Sequence, residues 1–278
     1  MLSSPDVPIT VIRPARRSGI PDFRELWRAR DLAMILAWRD VKVRYKQSLI
    51  GIAWAVLQPF LTMVVFTLIF GKFAQLPSQG LPYPVFAMLN LVPWTFLAAV
   101  FTLTSGCVLT NRMLVQKVHF PLLILPLACV LVPLVDFVFS FAVGLGITKW
   151  YDVAIQPTIV WAPAFLLMLA MTGVGLGSFL AVVNVRYRDV PYAVPFLVQL
   201  WLFASGVIYA ADALPEKYIN VASLNPAVGA ITGFRWAVVG TPPPSTTMLG
   251  LGVLMTLVFF FAGLWFYRRA EPRFADVL

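Results

Sequence analysis

Few side chains in this sequence could carry out chemistry. Its sole histidine, His119, stands two residues before Pro121, and no second ligand lies at metal-site spacing from it. The two cysteines, Cys107 and Cys129, fall inside apolar stretches, which favours buried free thiols over a disulfide framework. No Gly-x-x-x-x-Gly-Lys-Ser/Thr phosphate loop is present, so any ATP-driven activity would need an ATPase on another subunit. The sequence therefore predicts no catalytic, cofactor-binding or metal-binding residues in this chain.

One carboxylate lies within an apolar stretch. Asp136 follows Pro133 by three residues, and a charge inside a membrane-spanning helix is costly enough to suggest a function. It could relay protons in a secondary transporter. Alternatively, it could be neutral or hydrogen-bonded inside a helix bundle and fix helix packing. The second alternative is favoured, because no other acid lies in a predicted span.

Composition places these residues in a membrane protein. The chain is 60% hydrophobic and only 12% charged, whereas about a quarter of the residues of a soluble domain are charged. The net charge of +9 does not indicate a nucleic-acid partner, because the cations cluster between hydrophobic runs, as the positive-inside rule expects.

Six apolar stretches each reach roughly the 20 residues that a helical span needs. Seventeen of the 21 Lys and Arg residues fall in the two terminal segments and in the second and fourth connections, and four fall on the opposite side. This asymmetry predicts that both termini are cytoplasmic, which requires an even number of spans. The predicted spans are 48–70, 85–109, 121–148, 158–183, 193–210 and 248–267, followed by a tail over 268–278.

Two segments outside the spans have patterns of their own. Residues 1–47 end in a predicted amphipathic helix suited to the cytoplasmic membrane interface, and contact with a partner protein is a compatible alternative. Residues 211–247 are too apolar for an ordinary loop and are punctuated by Asn225-Pro226 and Gly240. They predict two short helices that dip into the outer leaflet and line the mouth of a pathway, since backbone at that depth needs protein or water around it. The apolar positions of the N-terminal helix are Trp27, Met34, Trp38, Val41 and Tyr45.

Two helical stripes combine polar, small and aromatic residues. Such stripes often indicate close helix packing, which spacing alone favours. Aromatic rings alternating with an amide could instead offer flat surfaces to sugar rings. The stripes are Gly51, Ala55, Gln58 and Thr62 in the first span, with Pro59 beside them, and Tyr192, Phe196, Gln199, Phe203, Gly206 and Ala210 around the fifth.

Four stretches contain distinctive motifs. They are residues 39–48 followed by Gly51, Trp54 and Gln58-Pro59; Lys117 with Phe120-Pro121 and Ile124-Leu125-Pro126; residues 184–190 followed by Val194-Pro195-Phe196; and Leu224-Asn225-Pro226 with residues 233–236. Together, and in this order over roughly residues 22 to 270, they resemble the ABC-2 type polysaccharide exporter permeases, the Wzm-like subunits for O-antigen, teichoic acid and capsule. Leu122-Leu123 and Gly206 depart from that pattern, where many members have an Arg-Glu pair and a proline.

The resemblance implies an all-α polytopic membrane protein with six transmembrane helices, an N-terminal amphipathic interface helix and short re-entrant extracytoplasmic helices before the last span. It implies a homodimer in the bacterial inner membrane, docked to a nucleotide-binding subunit that holds the ATP and Mg²⁺. The substrate would be an undecaprenyl-diphosphate-linked polysaccharide. Alternatives are an ABC-2 permease for a lipid or a drug, and a proton-coupled transporter that uses Asp136.

The resemblance also distributes roles among residues. We expect Gln58, Thr62, Tyr192, Phe196, Gln199 and Phe203 to line the conduit; Arg39, Arg44, Arg112 and Lys117 to couple to the ATPase subunit; Lys42, Arg44 and Lys46 to contact the lipid diphosphate or the membrane surface; and Asn225, Pro226, Phe234, Arg235 and Trp236 to form the outer gate.

Overall fold

The structure, a computed structural model, describes residues 27, 29–46, 53–118, 120–187, 189–210 and 216–277. Within these ranges the chain is helical and contains no strand. A π-helix over Thr67–Phe73 continues the α-helix Ala53–Phe66, and a 3-10 helix over Pro157–Trp161 precedes the α-helix Ala162–Arg186. The helices are α1 (Arg30–Lys46), α2 (Ala53–Phe66), α3 (Tyr83–Thr110), α4 (Arg112–Lys117), α5 (Ile124–Ala128), α6 (Leu131–Trp150), α7 (Ala162–Arg186), α8 (Val190–Ala204), α9 (Glu216–Ser223), α10 (Pro226–Val239) and α11 (Thr246–Val277).

The helix lengths confirm a polytopic helical membrane protein. In the described ranges, five helical stretches are long and apolar enough to cross a bilayer. The fifth predicted span, 193–210, corresponds to α8, whose 15 residues extend only about 22 Å at the rise of an α-helix. That length is short of the roughly 30 Å hydrocarbon core, so the count of six spans stays a prediction. The five stretches are Ala53–Phe73, Tyr83–Thr110, Ile124–Trp150, Pro157–Arg186 and Thr246–Phe274.

Helices α3 and α7 form the centre of the bundle, where glycines allow helix backbones to meet. Gly173 and Gly177 share one face of α7 and approach α3; a Cβ on Gly177 would lie 2.6 Å from the Cβ of Thr104. Gly175 faces α11 instead, and a Cβ on Gly263 would overlap its carbonyl oxygen. Small residues at helix contacts are how membrane helices pack closely when lipid surrounds them.

The last helix is longer than predicted. Instead of ending near residue 267, α11 continues to Val277 without a break. Phe274 is buried, and its ring packs against the ring of the fully buried Tyr267 at 5.2 Å between centroids. The described part of the segment predicted as a cytoplasmic tail is therefore helical and contributes an apolar side chain to the core.

The two short helices predicted within 211–247 are present as α9 and α10, while residues 211–215 lie outside the described ranges. Asn225 caps α10 by accepting a hydrogen bond from the backbone N–H of Ala227 at 3.2 Å, and Gly240 ends it with a φ of 70°. Every residue of α10 except Trp236 is buried, against α3, α7, α11 and the 3-10 helix. That these helices are re-entrant stays a prediction.

Candidate functional site

Four residues of the stripe predicted around the fifth span lie on an exposed face of α8, whereas Gly206 and Ala210, which follow the helix, are buried. Tyr192, Phe196 and Phe203 are 84%, 61% and 52% exposed, and Gln199 is exposed between them. The opposite face carries Val194, which is buried. Because nothing in the described part of the chain covers these large side chains, close packing among the described helices does not account for them. The face is available to a ligand, to lipid or to a second chain.

The described part of the first-span stripe lies on α2, which is also mostly exposed, and Gly51 lies outside the described residues. Gln58 is exposed, and the hydroxyl of Thr62 donates to the Gln58 carbonyl at 2.9 Å. Pro59 cannot donate a backbone hydrogen bond and is buried beside it. Helix α2 packs on α3 and α6, whereas α8 packs on α3 and α7. The helices that carry the two stripes therefore share α3 as a neighbour and differ in the other helix they contact.

The C-terminal end of α8 is held by Asn225, a residue predicted for the outer gate. Its Nδ2 donates to the Ala204 carbonyl at 3.0 Å, and its Oδ1 accepts from the Trp201 indole Nε1 at 3.0 Å. The same Oδ1 caps α10 through Ala227. One amide side chain thus joins the end of the candidate conduit helix to the start of the buried helix α10.

The chain beyond α8 is irregular and buried, and α3 satisfies its backbone. Asn90 Nδ2 donates to the Val207 carbonyl at 3.0 Å, and the Tyr83 hydroxyl donates to the Ile208 carbonyl at 2.9 Å. Orphan carbonyls at a helix end are costly away from water. The two donors from α3 therefore satisfy carbonyls of the irregular chain that follows α8, whereas the carbonyls of Phe203 and Ala204 in its last turn accept from Tyr209 and Asn225.

Arg235 of α10 is a fully buried cation that binds the same Asn90. Its Nη1 donates to Asn90 Oδ1 at 2.7 Å, and its Nε and Nη2 donate to Gln79 Oε1 at 3.2 and 2.9 Å. The guanidinium also lies 4.7 Å above the Phe86 ring. A buried guanidinium needs several acceptors and an aromatic face to offset its desolvation. Arg235 and the adjacent Phe234 therefore face the core in this conformation.

Asp136 is ion-paired and hydrogen-bonded to α1. Its Oδ2 lies 2.7 Å from Arg44 Nη2, and its Oδ1 accepts a hydrogen bond from the Tyr45 hydroxyl. Burial and the Asp136 carboxylate raise the pKa of the Tyr45 phenol, which therefore stays protonated and donates. This geometry is the one that the packing alternative for Asp136 expected. It also directs Arg44, predicted to meet the ATPase or a lipid diphosphate, towards a partner within the chain.

Helix α1 has two apolar faces, not the single one that its spacing indicated. Val41 is buried against the bundle together with Leu36 and Ala37, because α1 packs along α5 and α6. Trp38 and the predicted apolar residues Trp27 and Met34 are exposed on the other side. The two lysines of this helix predicted to contact lipid or the surface, Lys42 and Lys46, are also exposed, and Lys42 lies 5.9 Å from the Trp38 ring centre.

A basic surface joins α1 to α4. Arg39 donates from Nη2 to Asn111 Oδ1 at 2.8 Å, and Asn111 directly precedes α4. Arg112 and Lys117, predicted for coupling, are both exposed on α4. Exposed Met113 (56%) and Val118 (46%) lie among them. We call Arg39, Arg112, Met113, Lys117 and Val118 the α1–α4 surface.

The extension of α11 holds the chain just before α5, a contact that sequence reasoning missed. The backbone N–H of Leu122 donates to Glu271 Oε1 at 2.8 Å, and the Tyr267 hydroxyl donates to the Leu122 carbonyl at 3.2 Å. Leu122 is one of the two leucines that depart from the Arg-Glu pair of many members of the family. The only available sequence signal was the i, i+4 spacing of Tyr267 and Glu271 beyond the last apolar stretch.

The fold and these surfaces define a helical membrane protein whose polar clusters position helices. Among the described residues, no three His, Cys, Asp or Glu side chains could jointly hold a metal ion. The chain belongs to the ABC-2 type transporter family, whose sequence model matches residues 31–239.

Relatives within this family are named for polysaccharide export or transport. The chain is 28% identical over 262 residues to the O-antigen export system permease protein RfbA of Myxococcus xanthus, covering 91% of this chain and 97% of that protein. An O-antigen export system permease protein RfbA of Klebsiella pneumoniae is 26% identical, with 89% and 95% covered. The polysialic acid transport protein KpsM of Escherichia coli is 22% identical, with 84% and 91% covered. The resemblance to ABC-2 type polysaccharide exporter permeases is thus confirmed.

Proposed function

We propose that this chain is the membrane-spanning subunit of an ABC exporter that moves an undecaprenyl-diphosphate-linked polysaccharide across the bacterial inner membrane. The observation that carries the proposal is the similarity over 91% of the chain to a permease named for O-antigen export. Both termini would be cytoplasmic, as the distribution of Lys and Arg favours.

The conduit would form between two copies of the chain. The centre of one subunit is filled by α3, α7 and their close glycine contacts, which leaves no space there for a hydrated sugar chain. The exposed faces of α2 and α8 supply Gln58, Phe196, Gln199 and Phe203. Aromatic faces can stack on sugar rings while the amides bond to hydroxyls. If these faces of two subunits lay opposite each other, they would line a conduit along which a glycan could move.

Energy would come from a separate ATPase subunit that binds ATP and Mg²⁺. The α1–α4 surface suits its docking, because exposed Arg112 and Lys117 flank apolar side chains there. Lys42 and Lys46 are exposed on α1 and could attract the diphosphate of the lipid carrier through charge-assisted hydrogen bonds.

The outer gate would involve the α9–α10 region. Asn225 links α10 to the end of α8, and buried Arg235 links α10 to α3. A displacement of α8 would therefore be transmitted to the extracytoplasmic end of the bundle through these amide and guanidinium contacts.

The decisive experiment deletes the gene for this chain in its host strain. Deletion should eliminate the strain's own surface polysaccharide and leave lipid-linked glycan inside the cell, and restoration should require both this chain and an ABC ATPase. In inverted membrane vesicles, glycan transport should persist with an uncoupler while ATP is held constant. Loss of transport under that condition would favour the proton-coupled alternative. Unchanged surface glycan with altered drug resistance or lipid content would favour the other ABC-2 functions.

A further inference from the structure

One face of α6 holds both the interfacial helix and the first span. Asp136 binds α1 through Arg44 and Tyr45, as described above. Ser140 lies one turn further along α6, and its hydroxyl donates to the carbonyl of Ala55 in α2 at 2.7 Å. Residues four apart on a helix lie on the same face. Asp136 and Ser140 therefore make adjacent attachments to the two elements that flank the connection from α1 to α2.

We propose that Asp136 is a positioning residue that fixes α1 to the membrane domain and transmits movement of α1 to α6 and, through Ser140, to α2. This inference rests on the proposed function, in which an ATPase subunit pushes on the α1–α4 surface.

Both oxygens of Asp136 are engaged by α1. Oδ1 accepts from Tyr45 and Oδ2 pairs with Arg44, while only 16% of the Asp136 side chain is exposed. A proton carrier must release its proton towards two sides of the membrane in turn. A carboxylate held by two donors from the same helix is arranged as an attachment instead.

The attachment lies where it can transmit force. Its partners Arg44 and Tyr45 are in the last turn of α1, next to the chain that leads into α2. At an earlier turn, Arg39 binds Asn111 at the start of α4. Helix α1 is thus fixed at two points, and a contiguous series of polar contacts runs from α1 through α6 to α2. If these contacts couple ATP hydrolysis to glycan export, breaking one of them must change the amount of glycan exported per ATP, which can be measured.

The test is a double-mutant cycle of Asp136→Asn and Arg44→Gln in the complete complex with its ATPase subunit. At equal amounts in the membrane, each single variant should reduce export of the strain's own surface glycan about tenfold, within the usual range of coupling free energies. ATP turnover of the purified complex in liposomes should persist, so more ATP is consumed per glycan exported. The double variant should be no worse than either single variant, because both remove the same contact.

The matched control is Arg30→Gln on the same helix. Arg30 pairs only loosely with its neighbour Asp31, at 3.6 Å and with both side chains largely exposed, so export should stay within about twofold of wild type, as exposed pairs contribute little. Tyr45→Phe keeps the ion pair and should give an intermediate loss.

Several outcomes overturn the inference. Normal export by Arg44→Gln together with loss by Asp136→Asn would identify a proton carrier, and additive losses would show independent roles. If Asp136→Asn does not accumulate, Arg44→Gln decides alone, because Arg44 is itself half-exposed and Tyr45 still donates to the Asp136 carboxylate in that variant: normal coupling rejects the inference. A wild-type complex that exports no glycan would refute the proposed function instead.

Discussion

The centre of the bundle and its exposed helices are built from equally apolar sequence but different side chains. In the most apolar part of α3, 78% of residues are buried within the chain, against 11% in α2 with its π-helical continuation. Glycines line the contacts of α7 with its neighbours, whereas α8 presents Tyr192, Phe196 and Phe203 outward. The difference indicates that the α3–α7 centre stabilises the folded subunit, whereas α2 and α8 present surface that lipid, a ligand or a second copy can contact. Three substitutions can test this division, and we order them by their expected effect on folding stability.

The largest effect is expected for Gly263→Leu, where α11 meets α7. Any side chain there overlaps the backbone of Gly175, so the helices must separate. The loss should reach or exceed the upper end of the roughly 1–3 kcal/mol typical of overpacking. Thermal unfolding in detergent and yield in the membrane measure it. Gly250→Leu on the same helix is the control, because a Cβ at Gly250 meets nothing within 4 Å. Equal losses in both variants would contradict the close contact.

An intermediate effect is expected for Arg235→Met. The substitution keeps much of the side-chain volume but leaves buried Asn90 Oδ1 without its guanidinium donor. Unsatisfied buried groups destabilise by about 1–3 kcal/mol each, so the thermal midpoint should fall clearly. Lys217→Met, at an exposed cation on α9, should change it little. If the two variants unfold alike, Arg235 does not hold the α3–α10 contact.

The smallest effect on stability is expected for the combined replacement of Phe196, Gln199 and Phe203 by alanine. These side chains are exposed, and surface changes usually stay within about 0.5 kcal/mol each. Export of the strain's surface glycan should nevertheless fall strongly, measured against the amount of protein in the membrane. The matched control replaces exposed Val253, Leu254 and Val258 on α11 by alanine. A parallel loss of export and accumulation would assign the α8 face to folding or assembly.

The spans could be predicted better than the site. Long apolar stretches locate membrane helices because backbone in lipid must satisfy its own hydrogen bonds, and four of the five candidate spans follow the predictions closely. The predicted span 193–210 stays a prediction: residues 205–210 are apolar enough to extend α8, but the helix ends at Ala204, whose carbonyl accepts from Asn225. Helix α11 runs past the predicted end of the last span, and its contacts there, from Tyr267 and Glu271 to Leu122, are 145 and 149 positions apart in the sequence.

Local sequence by itself determined the helical class, the presence of an N-terminal helix, the short helices before the last span and the family, because hydrophobic periodicity and short motifs are local properties. Tertiary structure decided which apolar faces are buried and which partner each charge takes. Asp136 binds Tyr45, 91 positions away, and Arg235 binds Asn90, 145 positions away. No spacing rule connects such residues, since their proximity arises only when the helices pack. The same packing leaves the stripe on α8 exposed, which spacing had favoured as a helix contact.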